Sequence, residues 1–222
     1  MFVVIGLPII LMSIIFHEVA HGWAAYKCGD PTAKNAGRLT LNPLAHIDLQ
    51  GTIIIPGILI AMNFLTKATV PVIGWAKPVP INPAYFRDWK KGMGITGIAG
   101  PLTNIVIALI LSLLLRVFLI SGFVFRDIPV LNVVIDQLSK AVAFAGLINI
   151  VLAVFNMIPI PPLDGSRVVV AFLRPDQIQS YLRIEPYGIM IVFGILIFGG
   201  FRILWPLVTL LFSVIFGVPI SF

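Results

Sequence analysis

The sequence predicts an all-α, polytopic membrane protein, and three observations support that fold class. Only 11% of the 222 residues are charged, against about 25% in an ordinary soluble domain. Hydrophobic residues make up 59% of the chain, and the mean hydropathy is +1.06. The charges are separated by apolar stretches of the length that a membrane-spanning helix requires. So few charged side chains cannot cover a water-soluble globule, which excludes a soluble enzyme or binding domain.

The apolar stretches set the number of helices. They comprise residues 1–16, 49–66, 92–115, 141–163 and 187–222, of which only the last contains a charge, Arg202. A helix crosses the bilayer with about 20 apolar residues, so we expect about four to six membrane helices and no separate soluble domain. We therefore predict one membrane-embedded domain over residues 1–222, with a core at 1–175 and C-terminal helices at 186–222. The last stretch fits either one span or a hairpin bent near Gly199 and Pro206.

Turn residues and polar loops divide the rest of the chain into elements. The first helix is predicted over residues 1–27, because the turn sequence Gly29-Asp30-Pro31 follows it directly. Residues 27–50 are polar by the standard of this chain and predict an interfacial loop. Residues 92–120 and 131–159 predict two antiparallel membrane helices joined by a short turn at 121–130.

The stretch 49–66 is predicted to form part of a re-entrant embedded hairpin. Gly51, Pro56 and Gly57 are expected to interrupt its helical half. Eight of the fifteen basic residues flank it: Lys27, Lys34 and Arg38 before it, and Lys67, Lys77, Arg87, Lys90 and Lys91 after it. Basic residues mark the cytoplasmic side of a membrane, so residues 49–83 should enter and leave on that face. Irregular backbone at membrane depth must be buried in protein or line a wet cavity, so the hairpin indicates an aqueous site.

The net charge of +6 does not indicate nucleic-acid binding, because the basic residues lie in short loops where they mark topology. With Arg167, Arg174 and Arg183, eleven of the fifteen are predicted to be cytoplasmic. The active site is accordingly expected toward the cytoplasmic side. Cys28 is the only cysteine, which excludes an internal disulfide and a multi-cysteine metal site.

The segment His17-Glu18-Val19-Ala20-His21 carries the chemistry of the first helix. His17 and His21 are four residues apart, which places both imidazoles on one helix face, about 40° apart. Such a pair binds zinc, and the adjoining carboxylate of Glu18 can take a proton from the metal's water. Ionisable groups in a lipid-embedded helix are costly unless they have partners. The segment therefore predicts a Zn²⁺ site, with one ion per chain.

A catalytic zinc normally has three protein ligands, and Asp164 is the candidate for the third. It ends a charge-free run, and the prolines at 159, 161 and 162 interrupt the helix just before it. A carboxylate there is expensive in lipid unless a cation lies nearby. The alternative is that Asp164 is the N-cap of a helix over residues 165–173, and it could also do both.

Glycines recur every third residue at Gly94, Gly97 and Gly100. Small residues at this spacing let another backbone approach the helix closely. The spacing indicates helix packing, or a close approach that holds this helix against the two histidines.

Three segments together resemble a known family. They are the motif at 17–21, the segment Gly97-Ile98-Ala99-Gly100-Pro101, and the block from Asn156 through Pro159 and Pro161 to Leu163-Asp164-Gly165. In this order, over about residues 1–175, they resemble the site-2 protease family of intramembrane zinc metalloproteases. The chain is similar to the short branch of that family, which has no PDZ-like insert.

The resemblance implies a zinc endopeptidase that cuts peptide bonds in or near the transmembrane segments of membrane proteins. It implies that His17, His21 and Asp164 are zinc ligands and that Glu18 is the catalytic base. Asn156 would orient the substrate or stabilise the oxyanion. The expected partners are transmembrane protein substrates and the lipid bilayer, with no nucleic acid; the sequence does not specify an oligomeric state.

His46 is the only histidine outside the motif, and it lies with Asp48 in the loop before residue 49. A loop histidine is ordinarily solvated or hydrogen-bonded. The alternative is that His46 approaches the zinc or its water, as a fourth ligand or a proton donor. Both interpretations stay open on the sequence.

The embedded hairpin could present a strand edge to an unwound substrate. Residues 70–79 are rich in β-branched side chains, although Pro71 and Pro78 limit them to an edge.

Two other functions compete with the protease. A membrane metal transporter would explain the ligands but gives Glu18 no role. A transporter also needs a polar path, whereas residues 92–115 offer only Thr96, Thr103, Asn104 and Ser112. An inactive scaffold for transmembrane partners is the third possibility.

Overall fold

The computed structural model describes residues 2–66, 76–125 and 127–217. Its α-helices are α1 (Phe2–Cys28), α2 (Thr32–Asn35), α3 (Ile55–Thr66), α4 (Trp89–Val124), α5 (Pro129–Asn156), α6 (Asp164–Phe172), α7 (Pro175–Leu182), α8 (Glu185–Ile195) and α9 (Phe201–Phe216). Short 3₁₀ turns occupy Pro43–His46 and Pro83–Tyr85, and π-helical segments occupy Leu49–Ile54 and Leu196–Gly200. These three ranges contain no β-strand, so the predicted all-α class is confirmed.

Four helical segments are long and apolar enough to cross a membrane. They are Pro8–Cys28, Leu49–Thr66, Trp89–Val124 and Pro129–Asn156, and the shorter apolar helices Glu185–Ile195 and Arg202–Phe216 follow them. The chain is therefore a multi-pass membrane protein. The first helix ends where the sequence predicts, because Gly29 adopts a φ of 114°, which few residues other than glycine tolerate.

The core lies where α4 and α5 pack on each other and on α1 and α9. Small buried residues, Ala108 on α4 and Ala145 on α5, let these helices approach closely. Phe212 and Phe216 of α9 stack on each other with ring centroids 4.4 Å apart. A side chain at Gly146 would collide with the ring of Phe216, so this glycine lets α9 dock on α5.

The predicted interruption of residues 49–66 does not occur. The chain is helical from Leu49 to Thr66, with a π-helical first part that leads into α3. The Asp48 carboxylate accepts a hydrogen bond from the Gly51 amide at 2.7 Å and so begins the helix. Pro56 lies inside this helical stretch, directly after the π-helical part, where the hydrogen-bond pattern changes to that of an α-helix. The re-entrant hairpin stays a prediction, since residues 67–75 lie outside the described residues.

The C-terminal stretch consists of two helices and not one continuous span. Phe198 and Gly199 have non-helical backbone angles, and the φ of Gly199 is 96°. Of the two alternatives that the sequence left open, the structure therefore favours a stretch bent at Gly199. Pro206 lies inside α9 without ending it.

The chain between residues 77 and 82, called here the 77–82 segment, has no helical or strand hydrogen bonding and lies beside α1. Hydrogen bonds hold it in place. The Lys77 N–H donates to the His46 carbonyl (2.9 Å) and Arg38 Nη2 donates to the Lys77 carbonyl (2.9 Å). At the other end, the Asn82 N–H donates to Asp30 Oδ2 (2.7 Å). Asp30 is fully buried, and its other carboxylate oxygen accepts from the backbone N–H of Thr32. The tethers fix this segment over the face of α1 that carries the histidines.

Candidate metal centre

The first two donors come from one face of α1. His17 and His21 lie one helical turn apart, and their Nε2 atoms are 3.0 Å from each other. Both side chains are buried. Their ring planes are nearly perpendicular, at 83°, so each ring reaches the shared point from its own direction.

The third donor comes from the start of α6. Asp164 Oδ2 lies 3.2 Å from His17 Nε2 and 3.1 Å from His21 Nε2. Asp164 is the first residue of α6, and the N-cap position belongs to Leu163. The N-cap alternative is therefore wrong: the break in the helix before residue 164 turns the carboxylate toward the histidines, and the cap lies one residue earlier.

These three groups fit a zinc ion. Two ligands about 2.0–2.1 Å from a tetrahedral zinc lie about 3.3 Å apart. The three donor atoms are separated by 3.0 to 3.2 Å, which is close to that spacing. Two imidazole nitrogens and one carboxylate oxygen form a donor set typical of catalytic zinc, which leaves one position open for water or substrate. No other such group of three was found among the described residues.

The glycines of α4 make room for the centre. A Cβ at position 100 would lie 2.6 Å from His17 Nε2 and closer still to His21 Nε2. A Cβ at position 97 would lie 2.8 Å from the carbonyl oxygen of Asp164. The glycine spacing therefore does more than pack helices, because it brings the α4 backbone against both imidazoles and the backbone of Asp164.

The remaining ring nitrogens of both histidines are held by α4. His17 Nδ1 lies 3.1 Å from Asn104 Oδ1, and His21 Nδ1 lies 2.6 Å from the Thr96 carbonyl oxygen. When each Nδ1 carries the proton, each Nε2 presents a lone pair to the centre. Sequence reasoning did not assign these partners, although Asn104 lies one turn after Gly100 on the same helix.

Glu18 lies in a polar cavity of about 210 Å³ that contains all three donors. Its Oε2 accepts a hydrogen bond from the Val79 amide at 2.9 Å. Val79 and Pro78 of the 77–82 segment form part of the cavity wall. The segment therefore contacts the carboxylate that the sequence identifies as a base.

Three further polar residues have defined positions. Asn156 lines the cavity, and its Nδ2 donates to the Leu152 carbonyl at 3.0 Å. Arg167 also lines the cavity, one turn after Asp164 on α6, a position that the sequence analysis did not single out. The His46 ring is buried and its Nε2 pairs with the Thr40 carbonyl at 2.8 Å. His46 lies outside the group of three donors, and its role as ligand or proton donor stays a hypothesis.

Comparisons with known proteins agree with this arrangement. The model of peptidase family M50 matches residues 5–199. A Bacillus subtilis protein named "Putative zinc metalloprotease YwhC" is 35% identical over 205 residues, which cover 90% of this chain and 84% of the relative. A Mycolicibacterium smegmatis protein named "Putative zinc metalloprotease Rip2" is 28% identical over 84% of this chain and 64% of the relative. No solved structure matches the chain.

A methyl group at position 100 should exclude the metal. In Gly100→Ala the new Cβ would overlap the nitrogens of His17 and His21, so we expect the purified protein to lose most of its bound zinc. Zinc content per chain, measured by elemental analysis, checks this. Gly122→Ala is the control on the same helix, because a Cβ there makes only ordinary contacts, with Ile135 at 3.5 Å and Asn132 at 3.9 Å. Full zinc content in Gly100→Ala would contradict the placement of α4.

Proposed function

The chain belongs to peptidase family M50, the site-2 protease family, and from this premise we propose that it is a zinc-dependent intramembrane endopeptidase. It hydrolyses peptide bonds in or near the transmembrane segments of membrane proteins. One observation carries the proposal: a buried group of two histidines and one aspartate shares a cavity with Glu18. His17 and His21 lie within a helix long enough to cross a membrane.

His17, His21 and Asp164 hold the metal in this proposal. A bound zinc supplies Lewis acidity, which polarises a peptide carbonyl and makes a water molecule more acidic. Glu18 is the general base, which takes the proton of the attacking water and donates it to the leaving nitrogen. Oε2 of Glu18 already accepts a hydrogen bond from the Val79 amide. We therefore assign Oε1 as the oxygen that takes the proton of the water.

The opposite wall of the cavity is assigned to the substrate carbonyl. One N–H of the Asn156 amide is used by Leu152, and the other is available to hydrogen-bond the substrate or the oxyanion. The Arg167 guanidinium faces the same cavity, and its positive charge favours a developing negative oxygen.

A helical substrate must unwind before it can react, because its carbonyls are engaged in i to i−4 hydrogen bonds. The 77–82 segment lies beside Glu18, outside any helix. The amides of Lys77, Val79 and Asn82 are already hydrogen-bonded within the protein, and the two prolines of the segment have no N–H. The groups left to pair with an extended substrate are the Ile81 amide and the carbonyls of residues 79–81. The part of the predicted edge at 70–75 lies outside the described residues.

We assign the active site to the cytoplasmic half of the membrane, because basic residues mark that side. Arg167 lines the cavity and Arg38 contacts the 77–82 segment, which supports the assignment. Reporter fusions at residue 90 and within the 121–130 turn should report opposite sides, with residue 90 in the cytoplasm. A cytoplasmic 121–130 turn would contradict this orientation.

Loss of the base should separate chemistry from metal binding. We expect Glu18→Gln to lower the cleavage rate of single-span substrates by about 10²- to 10⁴-fold while zinc content is unchanged. The measurement is cleavage by purified protein in detergent or liposomes, with zinc quantified in the same samples. Zinc flux across liposomes without cleavage would favour a transporter. Zinc binding with neither flux nor cleavage would favour a scaffold.

The contact between the 77–82 segment and Glu18 should be needed for turnover. Val79→Pro removes the amide donor to Glu18, so we expect cleavage to fall at least about 100-fold while zinc is retained. Val79→Ala keeps the N–H and is the matched control, for which we expect cleavage within a few-fold of the parent. Full activity in Val79→Pro would count against a role for this segment.

A further inference from the structure

Asn104 is a fully buried side chain whose amide oxygen faces His17. Its Oδ1 lies 3.1 Å from His17 Nδ1, one helical turn beyond the glycine that contacts both histidines. We propose that Asn104 is a positioning residue that keeps His17 oriented with Nε2 toward the metal by accepting a hydrogen bond from Nδ1–H. The inference rests on the proposed zinc site and adds the residue that sets the geometry of one ligand.

The two histidines are held by groups of different kinds. The partner of His21 Nδ1 is the Thr96 backbone carbonyl, which can only accept a hydrogen bond. That contact requires a proton on Nδ1 of His21 whatever side chain stands at position 96. The partner of His17 is a side-chain amide, which can present either an acceptor oxygen or a donor nitrogen.

The amide orientation decides whether His17 can bind a metal. With Oδ1 toward His17, Nδ1 carries the proton and Nε2 is free to coordinate. With the amide reversed, Nδ1 would have to accept from Nδ2, so a neutral ring would carry its proton on Nε2. Asn104 therefore selects a binding-competent ligand only in the first orientation.

In the structure the oxygen half of the Asn104 amide faces His17. Asn104 Nδ2 is buried and finds no acceptor among the described residues. The contact of Oδ1 with His17 is therefore accompanied by an unpaired buried donor, which costs free energy. Asn149 on α5 is also fully buried and shows the opposite pattern. Its Nδ2 donates to Ser13 Oγ and to the Ala145 carbonyl, both at 2.9 Å, while its Oδ1 has no partner among these residues. Asn149 thus pairs its donor, and Asn104 pairs its acceptor with a metal ligand.

Substitutions at position 104 should therefore separate folding from metal affinity. Asn104→Leu removes the acceptor together with the unpaired donor, so we expect zinc affinity to fall about 10- to 100-fold without a loss of thermal stability. Asn104→Asp keeps an acceptor toward His17, so zinc affinity should stay within a few-fold of the parent. Asn149→Leu is the matched control, a buried asparagine outside the site, and should leave zinc affinity unchanged.

The test combines two measurements on the full-length protein in detergent micelles. Zinc affinity is measured by competition with a chromophoric chelator. Nuclear magnetic resonance of ¹⁵N-labelled histidines follows the Nδ1–H groups in the zinc-loaded protein. In Asn104→Leu the His17 Nδ1–H should exchange faster with solvent, while the His21 Nδ1–H, paired with Thr96, is the internal reference and should not change.

The outcomes separate this inference from the proposed function. Absence of zinc binding in the parent protein would overturn both. Zinc binding in the parent with equal affinity in Asn104→Leu would overturn the role of Asn104 alone. A fall in affinity for Asn104→Asp as large as for Asn104→Leu would also overturn it. If Asn104→Leu does not fold, the zinc affinity of Asn104→Asp and the His17 resonances of the zinc-loaded parent protein test the proposal instead. Zinc coordinated through Nδ1 of His17 would contradict it.

Discussion

The fold depends on how closely the backbone of α4 approaches the histidines of α1. Gly97 and Gly100 leave no side chain between α4 and the donor atoms, and a single Cβ at position 100 would occupy the space of the imidazole nitrogens. The same approach brings Asn104 and the Thr96 carbonyl to the Nδ1 atoms. One contact between two helices therefore creates the space for a metal and orients two of its ligands.

The two carboxylates of the centre have partners, as the cost of burying charged groups in a membrane protein requires. The carboxylate of Asp164 faces two histidines, and the carboxylate of Glu18 accepts from a backbone amide. That amide belongs to the 77–82 segment, which buried Asp30 in turn fixes at its far end. Hydrogen bonds at two points of this segment thus connect the loop that follows α1 to the proposed base.

The parts of the structure that local sequence determines could be predicted. Hydropathy predicted three of the four long helices, α1, α4 and α5, and the spacing of His17 and His21 predicted a shared helix face, because both depend on neighbours in the chain. The contacts of Glu18 with Val79 and of His17 with Asn104 join residues 61 and 87 positions apart, so tertiary packing alone determines them. Residues 49–66 were mispredicted as interrupted for a similar reason. Glycine and proline lower helix propensity, but the start of this helix is capped by Asp48, and Pro56 lies where a π-helical part passes into α3.

The most direct test of this account is X-ray absorption at the zinc edge of the purified protein. The account predicts one zinc per chain with a first shell of nitrogen and oxygen at about 2.0–2.1 Å, and outer-shell scattering from two imidazole rings. A sulfur shell at about 2.3 Å, or zinc without imidazole scattering, would contradict the proposal that His17, His21 and Asp164 form the metal site.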